Sequence, residues 1–306
     1  MAWKRRDFVT ASGLAALAGA LPRSVSAHQP APPAAPPAPA IFTPLRRNVG
    51  IFNQRGGTIG WLVSGDGLLV VDSQFVDTAA NLLSGLKERS PRQIDVLINS
   101  HHHPDHTGGN GVLRSSVKQI VAHVRSLENQ KVQAERMKAQ TTLPDVTFPD
   151  TWNVTIGDET IRARHWGPAH TGGDVSIHFE QANVVHLGDL LNNRGYPNVD
   201  APAGASVHGW IQVLEKMAAA FPADALYVYG HAEAGHPFIG TRPDLLYQRD
   251  YFTAVIEMAR AARGAGKAKD DLAKVEVLPK FEHFGGIKTR LGLALTIAFD
   301  ELAKNG

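Results

Sequence analysis

The chain has 306 residues, 43% of them hydrophobic, enough to bury a sizeable core in a single α/β domain. Its formal charge of +2 comes from the first 27 residues, where Lys4, Arg5, Arg6 and Arg23 outnumber Asp7; of 31 basic and 29 acidic residues, 27 and 28 remain beyond them. That near-neutral remainder has no basic run of the kind that drives phosphate contacts, so no nucleic-acid partner is expected; zero cysteines exclude disulfides, thiolate metal sites and thiol nucleophiles, leaving nitrogen and oxygen donors for any metal.

Residues 1–27 read as an export signal. Lys4-Arg5-Arg6 precedes an apolar stretch from Val9 to Leu21, and Val25-Ser26-Ala27 fits a small-residue cleavage site. The stretch is short of the roughly 18 residues needed to span a bilayer, so no permanent membrane anchor is expected. The arginine pair with Phe8 resembles a twin-arginine signal, which places the mature protein in the periplasm or outside the cell. Residues 28–44 form a Pro/Ala-rich linker with polyproline character, and residues 45–306 a single catalytic domain.

Within that domain, Thr58 to Val63 and Leu68 to Val71 are predicted as a hairpin around Ser64-Gly65-Asp66-Gly67. Asp77 to Glu88 follows as a helix with an Asp cap, and Ile94 to Ile98 as a buried strand. Further strands are predicted at Thr151 to Ile156, Thr160 to His165, Val175 to Phe179, Val184 to Leu187 and Ala225 to Val228. Amphipathic helices are predicted at His123 to Ala139, Ala205 to Phe221, Leu245 to Arg263 and Lys288 to Ala303. The mixture indicates an α/β or α+β sandwich.

Directly after the strand ending at Ile98 comes Asn99-Ser100-His101-His102-His103-Pro104-Asp105-His106-Thr107-Gly108-Gly109. His101 and His103 are two apart and project to one side of an extended loop, able to grip one ion. Asp105 and His106 follow on the bend and can face a second. A surface histidine cluster would lack the interposed aspartate and the preceding buried strand.

The motif resembles the His-x-His-x-Asp-His hallmark of the metallo-β-lactamase superfamily. Three further matches follow in the family's order: His170 in Gly167-Pro168-Ala169-His170-Thr171-Gly172-Gly173-Asp174, Asp189 in His186-Leu187-Gly188-Asp189, and His231 in Tyr229-Gly230-His231. The resemblance implies a four-layer αββα sandwich and two Zn2+ per chain. It assigns His101, His103 and His170 to the first zinc, Asp105, His106 and His231 to the second, and Asp189 to a bridge between them.

The expected activity is hydrolysis of a carbonyl compound (amide, ester, lactone or thioester) by a metal-bound hydroxide, with Asp105 as the catalytic residue that orients it. β-Lactamases of the superfamily usually carry Cys or Ser where Asp189 stands, whereas its thioesterases and lactonases carry Asp. β-Lactam hydrolysis is therefore the second reading, and a non-catalytic zinc-binding protein a third, of another class. A small-molecule substrate is expected, with His208 as a candidate contact at the site mouth. His102, His123, His165, His178, His186 and His236 are discounted as ligands, and Trp61 and Phe75 are expected to fill the core.

Overall fold

The computed structural model describes residues 39–138 and 140–304. The export signal and most of the linker, up to residue 38, lie outside the described residues. The end of the expected linker does not hold: the chain enters a sheet at Ile41, inside the segment assigned to it, because Phe42 packs on Phe52 with ring centroids 4.8 Å apart.

Seven strands form the first sheet in chain order: β1 (Ile41–Arg46), β2 (Val49–Asn53), β3 (Ile59–Val63), β4 (Leu68–Val71), β5 (Ile94–Asn99), β6 (Val117–His123) and β7 (Val146–Phe148). The first four are antiparallel neighbours, and β4 through β7 run parallel. The second sheet has the order β15 (Ile239–Gly240), β13 (Leu226–Val228), β11 (Val184–His186), β10 (Ser176–Phe179), β9 (Glu159–Arg164), β8 (Thr151–Ile156). A short parallel pair, β12 (Asn192–Asn193) and β14 (His231–Ala232), lies beside it. The helices are α1 (Val76–Arg89), α2 (Pro104–Thr107), α3 (Asn110–Leu113), α4 (Val124–Met137), α5 (Val207–Ala220), α6 (Arg242–Gly264), α7 (Lys269–Leu272) and α8 (Thr289–Lys304).

Alternation of side chains along each strand explains the layering. In β4, Leu69 and Val71 meet Ile161, Ile177 and Val228 of the second sheet, while Leu68 and Val70 turn outward onto Leu82 and Leu86 of α1. In the second sheet, Val184 and Val228 face inward, while Val185 and Tyr227 face a core built with α5, α6 and α8. Strands buried on both faces read as continuous apolar runs, which is why β4 and β5 stand out in the sequence. The result is the expected αββα sandwich.

Most predicted elements lie within two or three residues of their observed positions. Strand β6 was not predicted, since Lys118 and Gln119 interrupt its apolar run. Asp77 is not the cap of α1: Phe75 occupies that position, its N–H donating to Thr78 Oγ1, and Asp77 sits in the first turn paired with Arg55.

The outer core behind the second sheet centres on Trp210 and Phe252, both fully buried with ring centroids 4.4 Å apart. Phe252→Ala is expected to cost about 3–5 kcal/mol by removing a large buried ring. A urea titration reads this as a lowered midpoint, and an unchanged midpoint would mean the helical layer contributes no stability of its own.

Candidate metal centre

All the predicted donors sit where strands end. His101, His103, Asp105 and His106 follow β5; His170 follows β9; Asp189 follows β11; and His231 follows β13. Strands β9, β11 and β13 share one direction, since β10 is antiparallel to both β9 and β11 and β11 is parallel to β13. Their carboxyl ends therefore deliver loops to one edge of the sandwich.

The donor atoms gather into two groups. His101, His103, His170 and Asp189 have ligating atoms within 4.8 Å of one another, as do Asp105, His106 and His231. Asp189 reaches both, with Oδ2 3.5 Å from His170 Nε2, and Oδ1 3.1 Å from His106 Nε2 and 3.3 Å from His231 Nε2.

The hydrogen bonds behind the rings set their orientation. His170 Nδ1 donates to the Asn198 carbonyl at 2.8 Å, His103 Nε2 to Asp200 at 2.8 Å, and His106 Nδ1 to Asp72 Oδ2 at 2.7 Å. Ser100 Oγ donates to Asp72 Oδ2 at 2.6 Å and accepts from His101 Nδ1 at 3.1 Å. With those nitrogens protonated, the opposite ones carry lone pairs toward the centre. His103 Nδ1 then lies 3.0 Å from His101 Nε2 and 2.9 Å from His170 Nε2, three acceptors with no proton between them. Asp189 Oδ1 is buried and faces only His106 Nε2 and His231 Nε2. Converging, unpaired nitrogen and oxygen lone pairs fit divalent metal ions, and nitrogen and oxygen donors suit zinc.

Electrostatics differ between the two groups. Burial, aided by neighbouring imidazoles, holds His101 well below its usual value, and burial takes His170 down to about 4, so both are neutral and ready to ligate. Burial also disfavours a charged His231, but Asp189 and Asp105 outweigh it and raise the ring to about 9. His106 is likewise raised, Asp189, Asp105 and Asp72 together overcoming burial. Burial opposes ionisation of Asp105 too, yet His106 and His231 bring its carboxyl down to about 2.

Asp72, Ser100 and Asp200 were not singled out from sequence. Asp72 was the legible one, an acid straight after four apolar strand residues; it adopts φ 67°, which turns its carboxylate back to receive Ser100 N–H and His106. Nothing local marks Asp200. Gly230 is required by close approach, because a Cβ there would overlap Asp189 Oδ1.

His208 is not among the residues brought together. Its Nδ1 bonds Glu301 at 2.7 Å, tying α5 to α8. His102 is turned from the donor groups toward Asp200, 3.6 Å away. His123 caps α4 and stacks on His165, and His186 donates to the Thr58 carbonyl. Trp61 is in the core as expected, whereas Phe75 is only part-buried under Arg55. A cavity of about 510 Å³ lined by Phe75, Pro104, Thr107, Gly108 and Met137 has none of the donors in its wall.

An αββα sandwich with His and Asp donors gathered at one edge defines a class of fold able to hold metal and found among hydrolases. The family profile described as the metallo-beta-lactamase superfamily matches residues 53–232, and the chain belongs to that superfamily. It is 30% identical over 156 residues to a hydroxyacylglutathione hydrolase of Cereibacter sphaeroides, covering 51% of this chain but only 55% of that protein's length. It is 21% identical over 202 residues to metallo-beta-lactamase IND-1 of Chryseobacterium indologenes, covering 63% of this chain and 82% of that one. In structure it is similar to a metallo-beta-lactamase from Pontibacter korlensis, with a TM-score of 0.59, 20% identity, and coverage of 70% and 99% of the two chains.

Asp72→Ala removes the acceptor that orients His106 and Ser100, and is expected to weaken zinc affinity about 10- to 100-fold by competition titration; unchanged affinity would show that backbone packing alone aims the ring. Protons compete for His231 and His106 but not for His101 and His170, so zinc titrations from pH 6 to 9 should reveal one class of site with little pH dependence and one that tightens as pH rises. In the metal-free protein the sign is opposite: the His231 ion pairs stabilise the fold fully below the unfolded value of about 6.5 and are lost as pH rises through about 9.

Proposed function

We propose that the protein is a dinuclear zinc hydrolase that attacks carbonyl compounds of the ester, lactone, thioester or amide class. The observation that carries this is Asp189, whose two carboxylate oxygens face one donor group each, joining two metal-binding half-sites into one centre. His101, His103 and His170 would hold one ion and Asp105, His106 and His231 the other, with Asp189 shared. Bound there, the ions would lower the pKa of a water to about neutral and polarise the substrate carbonyl.

The remaining work falls to the chain itself. Asp105 is kept ionised, and its side chain is 25% exposed, so its free lone pairs can accept a hydrogen bond from an attacking water and aim it. Asp72, Ser100, Asp200 and the Asn198 carbonyl hold the imidazoles in one tautomer, so little reorganisation accompanies reaction.

The Asp at position 189 and the 30% identity to a hydroxyacylglutathione hydrolase favour thioester and ester substrates. Likeness to metallo-beta-lactamase IND-1 over 82% of that protein supports β-lactam hydrolysis as the second reading. The near-complete donor set argues against a binding protein without turnover. Residues 1–27 would direct export, which cell fractionation tests directly.

Metal analysis of the purified protein, coupled to turnover of nitrocefin, a simple lactone and a thioester with and without chelator, separates these readings. About two zincs and chelator-sensitive cleavage of the ester-type substrates are expected. Nitrocefin cleavage as the dominant activity would move the second reading to first place; zinc without turnover of any substrate would leave a binding protein, and no metal would refute the proposal.

A further inference from the structure

A cavity of about 140 Å³ opens beside His231, whose side chain is 35% exposed. It adjoins the metal centre, and much of its wall comes from chain beyond the stretch shared with the family. Its wall joins two stretches of chain, one with Glu233 and the other with Gly286, Ile287 and Arg290, at the start of α8 and just before it. The two sides are fastened together: Gly195 and Gly285 form a parallel bridge, Gly285 N–H donates to the Arg194 carbonyl at 2.8 Å, and Tyr196 N–H donates to the Gly285 carbonyl at 3.2 Å.

Two opposite charges in this cavity are unpaired. Arg290 donates from Nη1 to the Tyr196 carbonyl at 3.3 Å, and among the described residues it has no carboxylate within ion-pair distance. The Glu233 carboxylate has no cation or hydrogen-bond donor there either, and it does not pair with Arg290. The glycines make room for the arrangement, since a Cβ on Gly285 would lie 2.8 Å from Glu233 Cδ and one on Gly286 3.1 Å from its Oε2. Gly286 also adopts φ 78°.

Resting on the hydrolase reading above, we propose that this cavity is a substrate subsite for a small zwitterionic group, an ammonium held by Glu233 and a carboxylate held by Arg290, as in the head of an α-amino acid. A guanidinium presents a planar fork of donors that matches a carboxylate, and a lone carboxylate suits an ammonium. The cavity, about 140 Å³, has room for such a head group. A substrate anchored there would present its carbonyl toward His231 and the shared Asp189, so the subsite would select leaving groups that carry an amino-acid terminus.

The test uses the full chain and four acetate esters differing only in the leaving group: O-acetyl-L-homoserine, 4-acetoxybutanoate, 3-aminopropyl acetate and propyl acetate. The unmodified protein is expected to prefer the homoserine ester, with each charge worth about tenfold in kcat/KM. Arg290→Gln should reduce the preference for carboxylate-bearing over carboxylate-free esters about tenfold, and Glu233→Gln the preference for ammonium-bearing ones by a similar factor. Equal kcat/KM on all four esters, or ratios unmoved by both variants, would overturn the subsite while leaving ester hydrolysis itself demonstrated. If no ester turns over, the hydrolase reading fails on this class and binding of L-homoserine by ligand-observed NMR decides the subsite. Binding weakened by Arg290→Gln supports it, whereas no binding, or binding indifferent to both variants, refutes it.

Discussion

Five imidazoles and two carboxylates meet at one edge of this sandwich with their lone pairs turned inward, an arrangement that repels itself unless positive charge lies among them. In the metal-free chain part of that charge is supplied by protons, held on His106 and His231 by the facing aspartates. His101 and His170, buried and neutral, have no such relief. The rest of the structure can be understood as what it takes to hold these groups together. Hydrogen bonds donated to Asp72, Ser100, Asp200 and the Asn198 carbonyl fix the orientations of the His106, His101, His103 and His170 rings.

That rigidity is inherited from the two sheets. The loops bearing His101 to His106 and Asp189 leave strands β5 and β11, whose side chains are buried on both faces, so these loops begin at points with little freedom. Trp210 links the outer core to the centre directly: its ring lies 5.7 Å from His170 and 4.4 Å from Phe252, and its Nε1 donates to the Leu190 carbonyl, next to Asp189. Packing of α5, α6 and α8 thus reaches His170 through a ring contact and the neighbourhood of Asp189 through a hydrogen bond.

Beyond the family-shared stretch, residues 233–304 do more than cover the sheet. Helices α6 and α8 complete the outer layer, and the segment between them returns to the site edge through the bridge from Gly285 to Gly195. An α8 pinned at one end by this bridge and at the other by the Glu301 bonds to α5 has no freedom to drift from the centre. Chain beyond the residues that the family profile matches thus lines the edge of the site beside His231.

Sequence alone determined the donors and the layers. His101, His103, Asp105 and His106 are close in the chain after a run of apolar residues, so local geometry already places them on one loop; the long apolar runs of β4 and β5 could be buried only between other layers. It also marked His170, Asp189 and His231, through their order rather than through any local signal. What only the tertiary structure decided are the contacts between residues far apart in sequence. Asp200 comes to His103 across 97 positions, His208 is taken up by Glu301 across 93, and Arg290 reaches Tyr196 across 94. A single hydrogen bond or charge carries no periodicity and leaves no pattern in the chain, so its partner becomes known only when the sheets have brought the two ends together.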